Sequence, residues 1–231
     1  MLMIPKDDRM KFDGDLREAA RDYRLLLDRC YPVGASIKLT GDRYRLDKAE
    51  RMVLFRGVLP ATLSLANAQR CVASVPRDSR IAVDGYNILF TITNYLRGHP
   101  LFISTDGFLR DAGGAHGRIA DAAQFYAAID ELCENLVGLG VLQATFFLDA
   151  PIPRSADHAE ALRKALDLRG IPGEAILVPG ADGFISAWEG EAVATSDSAV
   201  IAKARAPVFD LARHVLETRY GAEFVDLSFV V

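Results

Sequence analysis

Four times an apolar run in this chain leads into an aspartate. Ile81-Ala82-Val83 ends at Asp84 and Phe146-Phe147-Leu148 at Asp149; Ile176-Leu177-Val178 is followed closely by Asp182, and Val193-Ala194-Thr195-Ser196 by Asp197. Carboxylates gathered at one place repel one another unless a proton or a cation compensates them. Ligation by oxygen alone is what Mg2+ or Mn2+ prefers. Asp84 is followed by Gly85-Tyr86-Asn87, where the glycine allows a sharp turn or a close approach and Asn87 is placed to hold the carboxylate or a water. In Thr195-Ser196-Asp197-Ser198 a strand end meets a helix start; either serine, Ser196 or Ser198, can cap the helix and leave Asp197 free. At Asp182, helix capping competes with ligation.

Such residues converge only if the apolar runs are neighbouring strands. Short apolar runs alternating with helical patterns read as buried parallel strands, and ligands of such sheets sit outside the carboxyl ends of the strands. From Arg80 onward the pattern reads strand, helix, hairpin-like insert, helix, strand, helix, strand, short helix, strand, helix and final strand. The last helix starts at Pro207 and the last strand covers Phe224 to Phe229. The insert spans Leu101 to Arg118 and carries the turn pair Asp106-Gly107. Asp106 and Asp111 in this insert are candidate extra ligands, with surface turns as the competing reading, and Arg110 and Arg118 are candidates to steady a phosphate.

Ahead of that segment, Leu16, Ala19, Ala20, Tyr23, Leu26 and Leu27 give one apolar helical face. Ser36 to Tyr44 reads as a polar, turn-rich segment, Asp47 caps a second helix, and a third lies within Pro60 to Ala73. The boundary falls at Val75 to Arg80, giving a mainly helical, basic accessory domain over 1–79 and an α/β domain over 80–231.

The chain has 231 residues, half of them apolar, and a net charge of −4. Residues 1–80 carry 16 Lys+Arg against 11 Asp+Glu, whereas 81–231 carry 11 against 20. A basic segment beside an acidic one suits a nucleic-acid grip next to a metal site, although arginines that merely solvate helices give the same balance. Lys38, Arg43, Arg45, Lys48 and Arg51, with Tyr44 among them, form the densest basic group. They either grip phosphates while the tyrosine stacks on a base, or pair internally with Asp42, Asp47 and Glu50. Cys30, Cys71 and Cys133 are too scattered for a disulfide framework or zinc site and read as buried thiols. No apolar stretch approaches the ~20 residues of a membrane span. Lys6, Asp7, Asp8 and Arg9 stand where a signal peptide needs an apolar segment, so the expectation is a cytoplasmic protein with no membrane partner; self-association is left open.

The ordered set Asp84-Gly85-Tyr86-Asn87, three apolar residues and Asp149, Ala181-Asp182, and Ala194-Thr195-Ser196-Asp197 resembles the PIN-like nucleases, most closely their NYN branch. The resemblance spans about Arg80 to Arg205. It implies a three-layer α/β domain with a largely parallel sheet, in which Asp84, Asp149, Asp182 and Asp197 bind Mg2+ or Mn2+ for phosphodiester hydrolysis, on RNA sooner than on DNA. Asn87, Ser196 and Asp111 would support them. The N-terminal segment resembles a prokaryotic family of uncharacterised proteins in which a small basic domain precedes such a domain. Two positions depart from the NYN pattern. Many members have consecutive aspartates where this chain has Asp182-Gly183, and a glycine where it has Ala150. Those departures keep a second reading in play, a catalytically inactive module that binds RNA or protein. A haloacid-dehalogenase-like phosphatase needs an aspartate where Tyr86 stands, and no Gly-x-Gly-x-x-Gly follows the first strand for dinucleotide binding.

Overall fold

The computed structural model describes residues 14–112, 119 and 121–228. Along the chain run α1 (Gly14–Asp28), α2 (Val33–Arg43), α3 (Lys48–Gly57), α4 (Ala61–Ala68), β1 (Cys71–Val72) and β2 (Arg80–Asp84). Then come α5 (Gly85–Leu96), β3 (Leu101–Ile103), β4 (Leu109–Asp111), α6 (Ala122–Leu139), β5 (Gln143–Asp149) and α7 (Ser155–Leu168). The chain continues through β6 (Gly173–Val178), α8 (Ala181–Ser186), β7 (Ala192–Ala194), α9 (Ser198–Lys203), β8 (Val208–Phe209), α10 (Leu211–Tyr220) and β9 (Val225–Asp226). Two compact units form. The described part of one is 14–69, 94–112 and 222–228, and that of the other is 70–93, 119 and 121–221. Where the sequence suggests one boundary at 79/80, the units therefore exchange segments across it.

The first unit is built on α1. Its apolar face, Leu16, Ala19, Ala20, Tyr23 and Leu27, is buried with Val53 and Leu54 of α3 and with Phe102 and Leu227. Helix α3 begins as its sequence demands, in a capping box where Asp47 accepts from Glu50 N–H and Glu50 accepts from Asp47 N–H. Helix α2 corrects the turn-rich reading of Ser36 to Tyr44. The Ser36 and Thr40 hydroxyls donate to carbonyls four residues back, Pro32 and Ser36, at 3.0 and 2.8 Å, so the polar residues are satisfied inside the helix. Ser36, Thr40 and Gly41 then form its buried face. The insert is a hairpin as expected, β3 antiparallel to β4, and β9 joins β3 in parallel to make a three-stranded sheet, so the last strand does not close the larger sheet. Cys30 and Cys71 are exposed, against expectation; Cys133 is buried, and its thiol pKa is pushed up to about 12 by that burial.

The second unit holds a six-stranded sheet, every pair parallel, in the order β1-β8-β7-β2-β5-β6. Ile81, Ala82 and Val83 of β2, Phe146 and Leu148 of β5, and Val193 and Ala194 of β7 are fully buried. That is the pattern of strands covered on both faces. Right-handed crossovers put α6 and α7, which pack together, on one face, and α8 and α9, which pack together, on the other. The result is a three-layer α/β arrangement. Helix α6 is capped by Asp121 and ends at Gly140 in the left-handed conformation, φ 67°. Pro207 does not start the last helix; it precedes the short strand β8, and Asp210 caps α10.

Candidate functional site

The chain leaves β2 in one direction to β5 and β6, then returns to lay β7 and β8 on the other side. The switch point lies between β2 and β7, where open α/β sheets take their ligands. Asp84 is the last residue of β2 and Asp149 the last of β5; Asp197 caps α9 just after β7, and Asp182 is the second residue of α8 after β6.

Three of the four are tied down by one oxygen each. Asp84 Oδ2 accepts from the Thr195 hydroxyl at 2.8 Å, and that hydroxyl oxygen accepts from Asp197 N–H at 3.1 Å. Asp197 Oδ1 accepts from Ala199 and Val200 N–H at 2.8 and 3.1 Å, so the aspartate itself caps α9 and the neighbouring serines do not release it. Asp149 Oδ1 accepts from Ala181 N–H at 2.9 Å, which joins the end of β5 to the start of α8 and so sets the place of Asp182. Capping of α8 thus falls to Asp149. Among the described residues, the second oxygens of Asp84, Asp149 and Asp197 accept no hydrogen bond.

Asn87 Oδ1 accepts from both the backbone N–H and the hydroxyl of Ser196, at 2.9 and 3.0 Å. These two residues hold the β7–α9 turn against the start of α5 instead of presenting atoms to a ligand. Gly85 has a packing role: a Cβ there would lie 2.4 Å from Leu148 Cδ2 and 3.2 Å from the Phe147 carbonyl oxygen. Strand β2 therefore runs straight into α5 with no loop. Tyr86, next in line, bonds His158 Nδ1 through its hydroxyl at 2.9 Å and is buried.

The electrostatics follow from this packing. Asp84 is 5% exposed. Burial raises its pKa, the Thr195 hydroxyl opposes that, and the charges of Asp197, Asp182 and Asp149 add to it, so that the group titrates at about 7. Asp182 is also raised, by burial first and then by Asp197 and Asp149, with Lys203 of α9 pulling the other way. The four carboxylates therefore sense one another. Among the described residues, however, no three Asp, Glu, His or Cys side chains stand close enough to form a ready-made coordination sphere.

Residues 74–214 match the family model described as a domain of unknown function, DUF5616. The chain belongs to the DUF5616 family. Its four aspartates, Asp84 to Asp197, all lie within that stretch. Residues 15–70 match a second model, a protein of unknown function, DUF434. An uncharacterized protein of Methanocaldococcus jannaschii is 25% identical over 187 residues, covering 80% of this chain and 88% of that protein. No solved structure matches the chain.

Outside the DUF5616 carboxylates, the proposed nucleic-acid contacts fare unevenly. Lys38 pairs with Asp42 at 3.3 Å and Arg43 with Asp22 at 3.6 Å, while the Tyr44 hydroxyl donates to Asp22 at 2.8 Å. The internal pairing with Asp42 thus holds for Lys38 and for Arg51, at 2.9 Å; Arg43 and Tyr44 pair internally too, but with Asp22, and Arg45 and Lys48 have no ion pair among the described residues. Arg110 is no phosphate anchor: it is 4% exposed and bonds Asp106 at 2.7 Å. Asp111 is no free ligand either, because Arg56 holds it at 3.0 Å. Arg118 lies outside the described residues. The sequence reading passed over Thr195 and Lys203. Thr195 sits inside Thr-Ser-Asp, and its signal is that a hydroxyl following a buried apolar run must find an acceptor.

Proposed function

We propose that the DUF5616 domain of this chain is a divalent-metal-dependent nuclease, hydrolysing phosphodiester bonds of RNA in preference to DNA. The observation that carries this reading is Asp84. It is a buried carboxylate at the sheet's switch point, with no Lys, Arg or His paired to it among the described residues and three more carboxylates within electrostatic reach. Such a charge is stable only if a proton or a cation joins it. The donors are all oxygens, which fits Mg2+ or Mn2+; Asp84, Asp149, Asp182 and Asp197 would hold the ion. When bound, that ion would neutralise charge developing on the phosphate and acidify a water. Thr195 keeps Asp84 in place and Asn87 keeps the Ser196 turn in place, so the positioning does not depend on the ion. The resemblance of the four aspartate motifs to the PIN-like, NYN-type nucleases supports the same reading.

A second reading is favoured by a specific observation. No three of these groups converge as they stand, and Asp149 and Asp197 both serve as caps. A module that binds RNA or protein without cutting it needs nothing more of them.

Cleavage of labelled single-stranded RNA, structured RNA and single-stranded DNA with Mn2+, Mg2+ or chelator separates the two. Asp84→Asn and Asp197→Asn are the informative variants, because asparagine caps a helix about as well as aspartate and so removes charge while sparing the fold. The nuclease reading expects metal-dependent cutting of RNA that falls at least about a hundredfold in both variants. No cutting, or cutting that survives in the variants, leaves the binding module.

A further inference from the structure

Beside Asp182 the chain builds something a metal site does not need. An open groove of about 630 Å³ is lined by Phe147, Gly183, Phe184, Trp188 and Gly190, with Arg80 and Glu189 also on its wall. That volume lies within the roughly 300–1,000 Å³ of ligand-sized clefts. Phe184 and Phe147 stack, with ring centroids 5.5 Å apart and planes 24° apart, and Trp188 meets Phe147 edge-on at 6.3 Å. Phe184 is nevertheless 49% exposed, an expensive place for a phenyl ring on a six-residue helix whose buried positions are Ala181 and Ile185.

None of the four aspartates is among the groove's lining residues; the wall is joined to them along the chain. Gly183 and Phe184 directly follow Asp182. Phe147 precedes Asp149 by two residues and is the partner of Asp84 in the β2–β5 ladder. Within the groove's lining, Trp188 keeps its indole Nε1–H buried with no acceptor among the described residues. A Cβ at Gly190 would fall 2.3 Å from that nitrogen, so this glycine is what lets the backbone pack closely against the indole edge. The Arg80 guanidinium is already paired with Glu191 at 3.2 Å, so what the groove offers a ligand is flat aromatic face, which suits a planar ring.

We infer that this groove is a nucleobase subsite, in which Phe184 stacks on a base of a single strand whose backbone passes the four aspartates. Its ligand rests on the nuclease reading, since a polynucleotide is what that reading brings to Asp182. Stacking tolerates any base, so the subsite orders an unpaired strand without reading its sequence. Duplex substrates, whose bases are already stacked on each other, would not fill it.

Trp188 is the chain's one tryptophan, which makes the groove observable by itself. The test is a fluorescence titration of the full chain in chelator, where a metal-dependent enzyme does not cut. The probes are single-stranded oligouridylate and oligoadenylate, and an abasic deoxyribose-phosphate oligomer of equal length. Saturable quenching by the base-bearing strands only, weakened about tenfold by Phe184→Leu, is the expected result; leucine keeps the apolar bulk at a half-exposed site and removes the ring. Equal quenching by the abasic oligomer, or unchanged affinity in Phe184→Leu, would overturn the subsite. So would a tryptophan shift that follows protein concentration together with dimer formation, because a second copy would then fill the groove. The two readings fail separately. Quenching without any metal-dependent cleavage of the same strands removes the nuclease and keeps the groove, and cleavage with an unchanged KM in Phe184→Leu does the reverse.

Discussion

Asp84 and Asp106 are both buried aspartates, 5% and 1% exposed, and they meet opposite fates. Burial pushes the Asp106 carboxyl up as well, but the charge of Arg110 and hydrogen bonds from Arg110, Ser104 and Asn67 outweigh it and leave the group below the usual range. Asp84 has a single hydroxyl and three like charges, and titrates at about 7. A carboxylate placed for structure has its counter-charge and donors already in place: Arg110 and Ser104 lie four and two residues from Asp106, and Asn67 reaches it from 39 residues away. A carboxylate with no such neighbours is poised to take up something from outside.

If that distinction is right, the largest effect on stability belongs to Asp106. Asp106→Ala leaves Arg110 buried without its partner and should cost about 3–5 kcal/mol, read from urea unfolding. Replacing the pair together, Asp106→Leu with Arg110→Met, removes both charges and should cost less than the single change. Asp84→Asn at pH 7 should not destabilise the fold at all. A loss of 3 kcal/mol in Asp84→Asn would mean that the two aspartates are the same kind of residue.

The pH dependence sharpens the contrast, because the two groups tilt it in opposite directions. An unfolded aspartate loses its proton near 3.8, whereas folded Asp84 keeps it to about 7. Between those values the native state holds the extra proton, so stability falls as pH rises through this window. The loss amounts to at most about 4 kcal/mol at 1.36 kcal/mol per pKa unit. Asp182, also raised, adds to this in the same sense. Asp106, depressed, contributes stability above the unfolded pKa and loses it as pH falls through its folded one. In chelator, urea midpoints measured from pH 4 to pH 8 should therefore fall for the natural protein and flatten in Asp84→Asn. A cation that binds the ionised site should restore stability at pH 8 in the natural protein and not in the variant.

What the sequence revealed, and what it hid, divides along the same line. The strand-end aspartates are legible because an apolar run is a local pattern and the sheet's topology delivers its last residue to a common edge. That Asp84, Asp149 and Asp197 stand at one edge of the sheet needed no knowledge of distant contacts beyond that rule. Arg110 and Asp111 were misread because nothing local tells a buried ion pair from a surface one. The partner that claims Asp111, Arg56, is 55 positions away. Helix α2 was hidden for a subtler reason, since Ser36, Thr40 and Gly41 look like turn residues until two hydroxyls bond back along the helix. Asp197 illustrates the limit of the local view. One oxygen caps α9 as any N-cap would, and only the nearness of Asp84 and Asp182 distinguishes it from Asp121, which caps α6 with the same geometry.

The smallest effect is the most discriminating. On the proposed resemblance to the NYN nucleases, Gly183 takes the place where many members carry a second consecutive aspartate, and nothing lies within 4 Å of the Cβ it lacks. Its φ lies outside the left-handed region, so a side chain strains nothing. In chelator, Gly183→Asp gains helix propensity and a negative charge in the first turn of α8, and loses by repulsion from Asp182. Its stability should stay within about 0.5 kcal/mol of the natural protein. With Mn2+ present the added carboxylate should tighten the ion about tenfold, a further ~1.4 kcal/mol of metal-dependent stabilisation once the ion is well above its Kd. Gly183→Asn, equal in size and uncharged, should show little of it. If the two variants respond alike, the space beside Asp182 does not face a cation, and the charges around Asp84 are held apart by the fold with no ion to join them.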